Sequence, residues 1–351
     1  MKNDSTSLRP NYTTIATRAL VTPRNTVICG DVLETLKTLA SASVECVVTS
    51  PPYFQARNYD AGKGELGQEA HIDQWVEQLR QVSREIARVL VPTGSYWLNV
   101  GDLYSRHERL GAPAKSLLLG PERLLCGLLA DGWTVRNRVA WVKTTPMPSP
   151  IADRLTNGWE YVFHLVRQRD YFYDLDAIRV PLVTKHPSRS LGKMPAAVLG
   201  ALANSRRGLD RLAREGRAGH PLGKNPTDVW RLPPGRSVGG HFATFPESLV
   251  RRPILATVPA KVCTACNRPW RRSKRRVIYL AGRPQPRALT PCGCKAATRP
   301  GLVLDPFAGS GTTLKVAREL GRDALGIELQ AGYAALASER AGLTSAVGAV
   351  A

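Results

Sequence analysis

Apolar positions along this chain recur in two periods, one that of a strand and one that of a helix. The segment Thr26-Val27-Ile28-Cys29-Gly30-Asp31 carries the short apolar run of a strand, and residues 32–39 place Leu33, Leu36 and Leu39 at helical spacing. Val44-Glu45-Cys46-Val47-Val48 predicts a buried strand, so a β-α-β unit opens the ordered chain. A longer helix is expected over 72–90, where Trp75, Leu79, Val82, Ile86, Val89 and Leu90 share a face, then a strand over 94–100. Residues 121–131 predict a helix and 135–142 a strand. Residues 159–166 and the triplet Tyr171-Phe172-Tyr173 are expected to pair antiparallel at a sheet edge.

After about residue 178 the pattern breaks. Pro, Gly, Arg and Lys crowd the chain to 240, with short helical patterns only at 196–203 and 209–214. Alternation resumes with a strand at 302–304, a helix at 312–320, a strand at 324–327 and a helix at 333–340. There is no internal repeat. Alternating elements at both ends, interrupted by a different middle, predict an α/β fold with one doubly wound, mostly parallel sheet assembled from both halves of the chain.

The chain has 351 residues, 43% of them hydrophobic and 22% charged, which excludes a mini-protein and a disordered chain. It lacks the long apolar run of a membrane span, and Met1-Lys2-Asn3-Asp4-Ser5 does not open a signal peptide. A cytoplasmic protein with reduced thiols is expected, its first twenty-odd residues forming a loose arm. Net charge changes the picture more. The formal value is +21, and residues 176–300 hold 25 Lys and Arg against 5 Asp and Glu, leaving 24 against 23 for the rest. Basicity confined to one internal stretch points to a polyanionic partner met through its phosphates, over a charged surface kept for solubility.

Two segments carry candidate chemistry. Asp305-Pro306-Phe307-Ala308-Gly309-Ser310-Gly311-Thr312 lies between a strand and a helix, where glycines admit a ligand to the backbone and amides at the helix start face it. The next strand ends in Glu328, placed to accept hydrogen bonds from a ribose diol. A Gly-x-Gly without a third glycine or a Gly-Lys-Ser/Thr is neither a dinucleotide nor a P-loop fingerprint. The other segment is Thr49-Ser50-Pro51-Pro52-Tyr53, after the strand that ends at Val48. Two prolines fix the backbone and donate nothing, so the Ser50 and Pro51 carbonyls with the Ser50 hydroxyl form a cluster of neutral acceptors suited to an exocyclic amine. Tyr53 adds a flat face for a planar ring. A plain Pro-Pro turn with Tyr53 in the core is the competing account of this segment taken alone.

Taken together, these two motifs resemble those of the DNA amino-methyltransferases, which methylate cytosine N4 or adenine N6. Ser50-Pro51-Pro52-Tyr53 matches the family's catalytic tetrad, and Asp305 to Gly311 its S-adenosylmethionine loop. The tetrad precedes the loop, the order of the permuted beta group. The resemblance implies an S-adenosylmethionine-dependent methyltransferase fold in which Asp305, Pro306, Phe307, Ala308, Gly309, Ser310, Gly311 and Thr312 hold the cofactor. It further implies that Glu328 takes the ribose and that Asp31 and Phe245 lie near the adenine. Ser in the tetrad's first place implies cytosine N4, with adenine N6 the alternative. The base would be turned out of the duplex and held against Tyr53, with the amine aligned to the sulfonium methyl and its proton lost to water, without a covalent enzyme intermediate. The implied division is a catalytic half over 22–178, a basic target-recognition region over 179–240, and a cofactor half over 241–258 and 300–342. A homodimer and a cognate restriction endonuclease are partners this family allows; a membrane is not.

Cys263-x-x-Cys266 and Cys292-x-Cys294 form two close pairs, and four thiolates suit a tetrahedral Zn2+ with a structural role in a small insertion over 259–299, two pairs of unliganded thiols being the alternative. Arg271-Arg272-Ser273-Lys274-Arg275-Arg276 between them is expected on DNA phosphates, with a solvated charge run as the alternative, and Arg206-Arg207 upstream are expected DNA contacts, to phosphate or to base. Asp102 either lines the pocket or caps a helix. A zinc nucleobase deaminase fails for want of His-x-Glu before Pro-Cys-x-x-Cys. A non-catalytic zinc DNA-binding protein leaves the two motifs idle, and a protein or RNA methyltransferase does not account for the permuted order.

Overall fold

The computed structural model describes residues 22–58, 65–182, 220–235, 245–273, 277–280 and 283–347. Its first half runs β1 (Thr26–Cys29), α1 (Val32–Thr38), β2 (Val44–Thr49), α2 (Ile72–Val89), β3 (Leu90–Val100), α3 (Gly120–Ala130), β4 (Thr134–Lys143) and β5 (Trp159–Val166). After β6 (Val229–Leu232) and α4 (Glu247–Thr257) come the short strands β7 (Val262–Cys263), β8 (Arg271–Arg272), β9 (Tyr279–Leu280), β10 (Arg283–Pro284), β11 (Leu289–Thr290) and β12 (Thr298–Arg299). The chain closes with β13 (Leu302–Asp305), α5 (Thr312–Glu319), β14 (Asp323–Glu328), α6 (Ala331–Ala341) and β15 (Thr344–Val347).

The main sheet has nine strands in the order β15-β1-β14-β13-β2-β3-β5-β4-β6. All neighbouring pairs are parallel except the two that involve β5. Strands from the two ends of the sequence meet at its centre, where Val303 pairs with Cys46 and Leu304 with Val47. Alternate side chains along the strands enter two separate cores. Val47, Leu304 and Ile327 pack with α1, α2 and α3, while Cys46, Val48 and Val303 pack with α4, α5 and α6. The result is the three-layer arrangement that buries both faces of a parallel sheet.

Helix α2 illustrates how the sequence selects its elements. Its buried stripe is Ile72, Trp75, Val76, Leu79, Val82, Ile86 and Val89, and His71 and Gln74 close a reciprocal capping box at its start. Each of these large side chains contributes about 1.5–3 kcal/mol by leaving water. Asp31 caps α1 by accepting from the Glu34 amide at 2.9 Å. Asp102 accepts from the amides of Leu119 and Gly120 at the start of α3, at 3.0 and 3.2 Å, so its role is that of a cap.

Three features depart from the sequence pattern. β5 lies between β3 and β4 rather than at an edge, and residues 171–173 are not a strand. β5 is buried from Val162 to Val166, and His164 stacks on Trp97 at 4.1 Å, so aromatic pairing placed this strand inside the sheet. The edge is instead β6, whose Trp230 packs 6.1 Å from Trp97; it lies inside the stretch assigned to target recognition. Helix α4 and edge strand β15 carried too weak a period to be foreseen. Among the described residues no helix is long and apolar enough to cross a membrane.

Candidate active site

β2 and β13 are adjacent and parallel, so the segments that follow them leave the same edge of the sheet. Thr49, the last residue of β2, donates its hydroxyl to Asp305 Oδ1 at 2.5 Å, and Asp305 is the last residue of β13. Thr313, early in α5, donates to the Val48 carbonyl at 3.4 Å. The two motifs, 256 positions apart, are thereby joined at their bases. Such a carboxyl-edge crevice is where open α/β sheets bind ligands.

The glycine loop is built by backbone shape. Gly309 and Gly311 have φ of +50° and +79°, in the left-handed region. At Gly311 a Cβ would stand 2.8 Å from the Ala337 Cα, because α6 packs directly against the turn. Arg340 of α6 donates to the Ser310 carbonyl. Glu328 receives the Gly309 amide at 2.7 Å and the Gln330 amide at 3.0 Å, which ties the loop to the end of β14. Burial raises the Glu328 carboxyl above its ordinary range against these two bonds. Asp31 stands one strand away, since Cys29 pairs with Glu328 and the Gly30 amide donates to the Glu328 carbonyl at 2.9 Å.

Asp305 is 1% exposed. Oδ1 accepts from Thr49 and from the Phe307 amide at 3.1 Å, while Oδ2 is buried without a hydrogen-bond partner among the described residues. Burial pushes its carboxyl up to about 6, with the Thr49 hydroxyl and the Phe307 amide opposing and the nearby Glu328 charge assisting. A buried, half-satisfied carboxylate has acceptor capacity left for a further donor or a positive charge.

The proline segment is fixed from three sides. The Trp75 indole of α2 donates to the Pro52 carbonyl at 2.9 Å, the Tyr53 carbonyl receives the Ala56 amide at 3.2 Å, and Pro51 is buried. Among the described residues no donor takes the Ser50 or Pro51 carbonyl. Tyr53 Oη donates to Glu160 Oε2 at 2.7 Å and lies 3.4 Å from both Ser50 Oγ and Asn99 Oδ1. Lys143 pairs with the other oxygen of Glu160 at 2.5 Å, and Asn99 donates to Oε2 at 3.2 Å. Gly101 leaves room for the ring, since a Cβ there would sit 2.9 Å from Tyr53 Cε2. Sequence reasoning missed this support of Asn99, Lys143 and Glu160. A charged residue at the head of an otherwise apolar β5 was its available signal.

Phe245 precedes α4 and packs against the core on the α4–α6 face. Arg271 and Arg272 are engaged within the protein, Arg271 with Asp170 at 3.3 Å and Arg272 through its Nε, which is shared between the two Asp174 oxygens at 2.9 and 3.1 Å. Arg206, Arg207, Lys274, Arg275 and Arg276 lie outside the described residues, as do the helical patterns at 196–203 and 209–214.

A doubly wound sheet with a proline segment and a glycine loop at one crevice is the arrangement of an α/β protein that binds its ligand at the carboxyl edge of the sheet. The chain belongs to the DNA methylase family, whose model matches residues 44–339. It is 30% identical over 336 residues to the Type II methyltransferase M.SmaI of Serratia marcescens, covering 90% of this chain and 89% of that one. The Type II methyltransferase M.XycI of Xanthomonas campestris pv. cyanopsidis is likewise 30% identical, over 92% and 89%. Among solved structures, the PvuII DNA methyltransferase (cytosine-N4-specific) superposes with a TM-score of 0.56 at 19% identity, over 90% of this chain and 86% of that one. A putative DNA modification methylase from Thermus thermophilus, solved with S-adenosyl-L-methionine, gives 0.52 at 25% identity, over 92% and 97%.

Proposed function

We propose that this chain transfers a methyl group from S-adenosylmethionine to the exocyclic amine of a base turned out of duplex DNA, with cytosine N4 as acceptor. The observation that carries the reading is the Thr49–Asp305 hydrogen bond, which brings a cofactor-type loop and an amine-type acceptor segment to one crevice. The residues fit the cofactor. Asp305 Oδ2, buried without a partner among the described residues, suits the ammonium of the methionine part, and the left-handed glycines of 305–312 keep the backbone open to a ligand. Glu328 spends one lone pair of each oxygen on an amide and keeps others for the ribose hydroxyls. Asp31 and Phe245 are assigned to the adenine end. The Thermus relative was solved with this same cofactor.

When bound, the cofactor supplies a sulfonium methyl that is already strongly electrophilic. The chain's task is then alignment. The Ser50 hydroxyl and the Ser50 and Pro51 carbonyls accept the protons of the amine, drawing its lone pair out of conjugation with the ring. Tyr53 holds the flat face of the base, which leaves the stack at a cost of a few kcal/mol. Ser50 is a poor base, so the proton departs to water after transfer. Serine rather than aspartate at position 50 supports cytosine. The basic stretch 176–300 supports DNA, with Lys274, Arg275 and Arg276 on its phosphates and Arg206 and Arg207 as further DNA contacts. The Type II designation of the relatives supports pairing with a restriction endonuclease in a prokaryotic cytoplasm.

The test is direct. The purified chain is incubated with duplex DNA and S-adenosylmethionine, and the digested nucleosides are identified by mass spectrometry. N4-methyldeoxycytidine, lost in Ser50→Ala and Pro52→Ala, is the expected result. N6-methyldeoxyadenosine overturns the cytosine assignment, and a Ser50→Ala variant with unchanged methyl transfer removes the acceptor role of Ser50.

A further inference from the structure

We propose that Cys263, Cys266, Cys292 and Cys294 bind one Zn2+ ion, and that this ion is the staple holding the 259–299 insertion together and onto the sheet. The four Sγ atoms all lie within 4.8 Å of one another. Sulfurs about 2.3 Å from a tetrahedral zinc stand about 3.8 Å apart, so small side-chain movements complete the site.

The described residues of the insertion form no hydrophobic core of their own. Among its described residues from 260 to 299, only Val262 and Cys263 are buried, and the strands β7 to β12 are two residues each. The exposed Ile278, Tyr279 and Leu280 build no core. A segment of this size without a core requires a covalent or metal cross-link to hold one conformation. Its chemistry selects the cross-link. Residues 259–299 contain eleven Lys and Arg and no Asp, Glu or His, so thiolates are its only strong metal ligands. Zn2+ with four thiolates carries a net charge of −2, which that cationic surround stabilises; binding releases the thiol protons to solvent.

The site also sits where it can act on the sheet. Cys263 pairs across β7–β12 with Thr298, and the next pair is Val262 with Arg299. Arg299 donates to buried Glu45 of β2 at 2.9 Å, and Glu45 also accepts the Leu302 amide at 2.6 Å, at the start of β13. Arg272 with Asp174 and Arg287 with Asp176, at 2.9 and 2.7 Å, hold the far part of the insertion against the segment after β5. The ion therefore closes the neck from which β13 sets out, at the opposite end of that strand from Asp305.

The experiment uses the full chain, expressed with zinc in the medium. Metal analysis and native mass spectrometry are expected to give one zinc per chain, displaced by an organomercurial thiol reagent. Cys266→Ser and Cys292→Ser should each lower zinc affinity at least tenfold and depress the melting temperature. Should those variants be insoluble, growth with Co2+ decides on the wild-type chain, whose spectrum must show thiolate-to-cobalt charge transfer and tetrahedral d–d bands. Absence of metal with all four thiols free to alkylate in the native protein overturns the proposal, and so do a disulfide among them or iron in place of zinc. Metal content is independent of methyl transfer, so this outcome is separable from that of the proposed activity.

Discussion

The hydroxyl of Thr49 and the carboxylate of Asp305 meet at 2.5 Å inside the protein, and neither residue is more than 1% exposed. A bond from a buried hydroxyl to a carboxylate is worth about 1.5–3 kcal/mol, and losing it leaves the acceptor without compensation. Thr49→Val keeps the shape and removes the donor. It is expected to lower unfolding free energy by about that amount in denaturant titrations. It should also weaken S-adenosylmethionine binding measured by calorimetry, because the position of Asp305 is no longer fixed from the β2 side.

Asp305 sets a pH dependence. Burial raises its carboxyl from an ordinary 3.8 to about 6, so the unfolded chain gives up this proton first. Stability from this group is therefore fully present below pH 4 and falls as pH rises toward 6, by on the order of 3 kcal/mol. Ligand binding runs the other way. A cationic partner favours the ionised carboxylate, so cofactor affinity should fall by up to about tenfold per unit as pH drops below 6. Asp305→Asn should flatten both profiles; calorimetry and thermal melts across pH 4.5–7.5 check them.

Gly311→Ala tests the loop from the α6 side. The residue has φ +79°, and the new methyl would press on Ala337 backbone at 2.8 Å. Left-handed backbone at a non-glycine residue costs about 1–2 kcal/mol before any clash. The variant should melt several degrees lower and bind S-adenosylmethionine more weakly, whereas Gly321→Ala, with φ +66° and open space, should show only the backbone penalty. Equal effects on cofactor affinity in the two variants would contradict the packing argument.

The order of elements around the crevice was legible because burial on both faces leaves simple periods. β2, α2, β13, α5 and β14 all fall within a few residues of their expected bounds. The place of β5 was not legible, since register between distant strands depends on partners such as Trp97 against His164 that no local period encodes. β6 and β15 are four-residue edges with little burial, too short to stand out. Of the crevice, Ser50, Tyr53, Asp305 and Glu328 stand in recognisable motifs, while Thr49 lies inside one without a signal of its own. Glu160, Lys143 and Asn99 come from three strands and acquire meaning only when β3, β4 and β5 are adjacent.

That support predicts how Tyr53 responds to change. Its hydroxyl is turned into Glu160 at 2.7 Å, with Lys143 holding the other carboxylate oxygen, so the phenol anchors the ring, whose face is the part proposed to meet the base. Tyr53→Phe keeps the face, which remains confined by Gly101, and should retain most of the turnover with a modest loss of affinity for DNA. Tyr53→Ala removes the face; base stacking on an aromatic contributes about 1–3 kcal/mol, so kcat/KM for DNA should fall by roughly ten- to hundredfold. Glu160→Gln should resemble Tyr53→Phe, because it weakens the same anchor and leaves the ring in place. Steady-state kinetics on a duplex and on its single strand separate the terms. If Tyr53→Ala loses as little as Tyr53→Phe on both substrates, the ring does not receive the base and Tyr53 is a core residue closing the turn after Pro52.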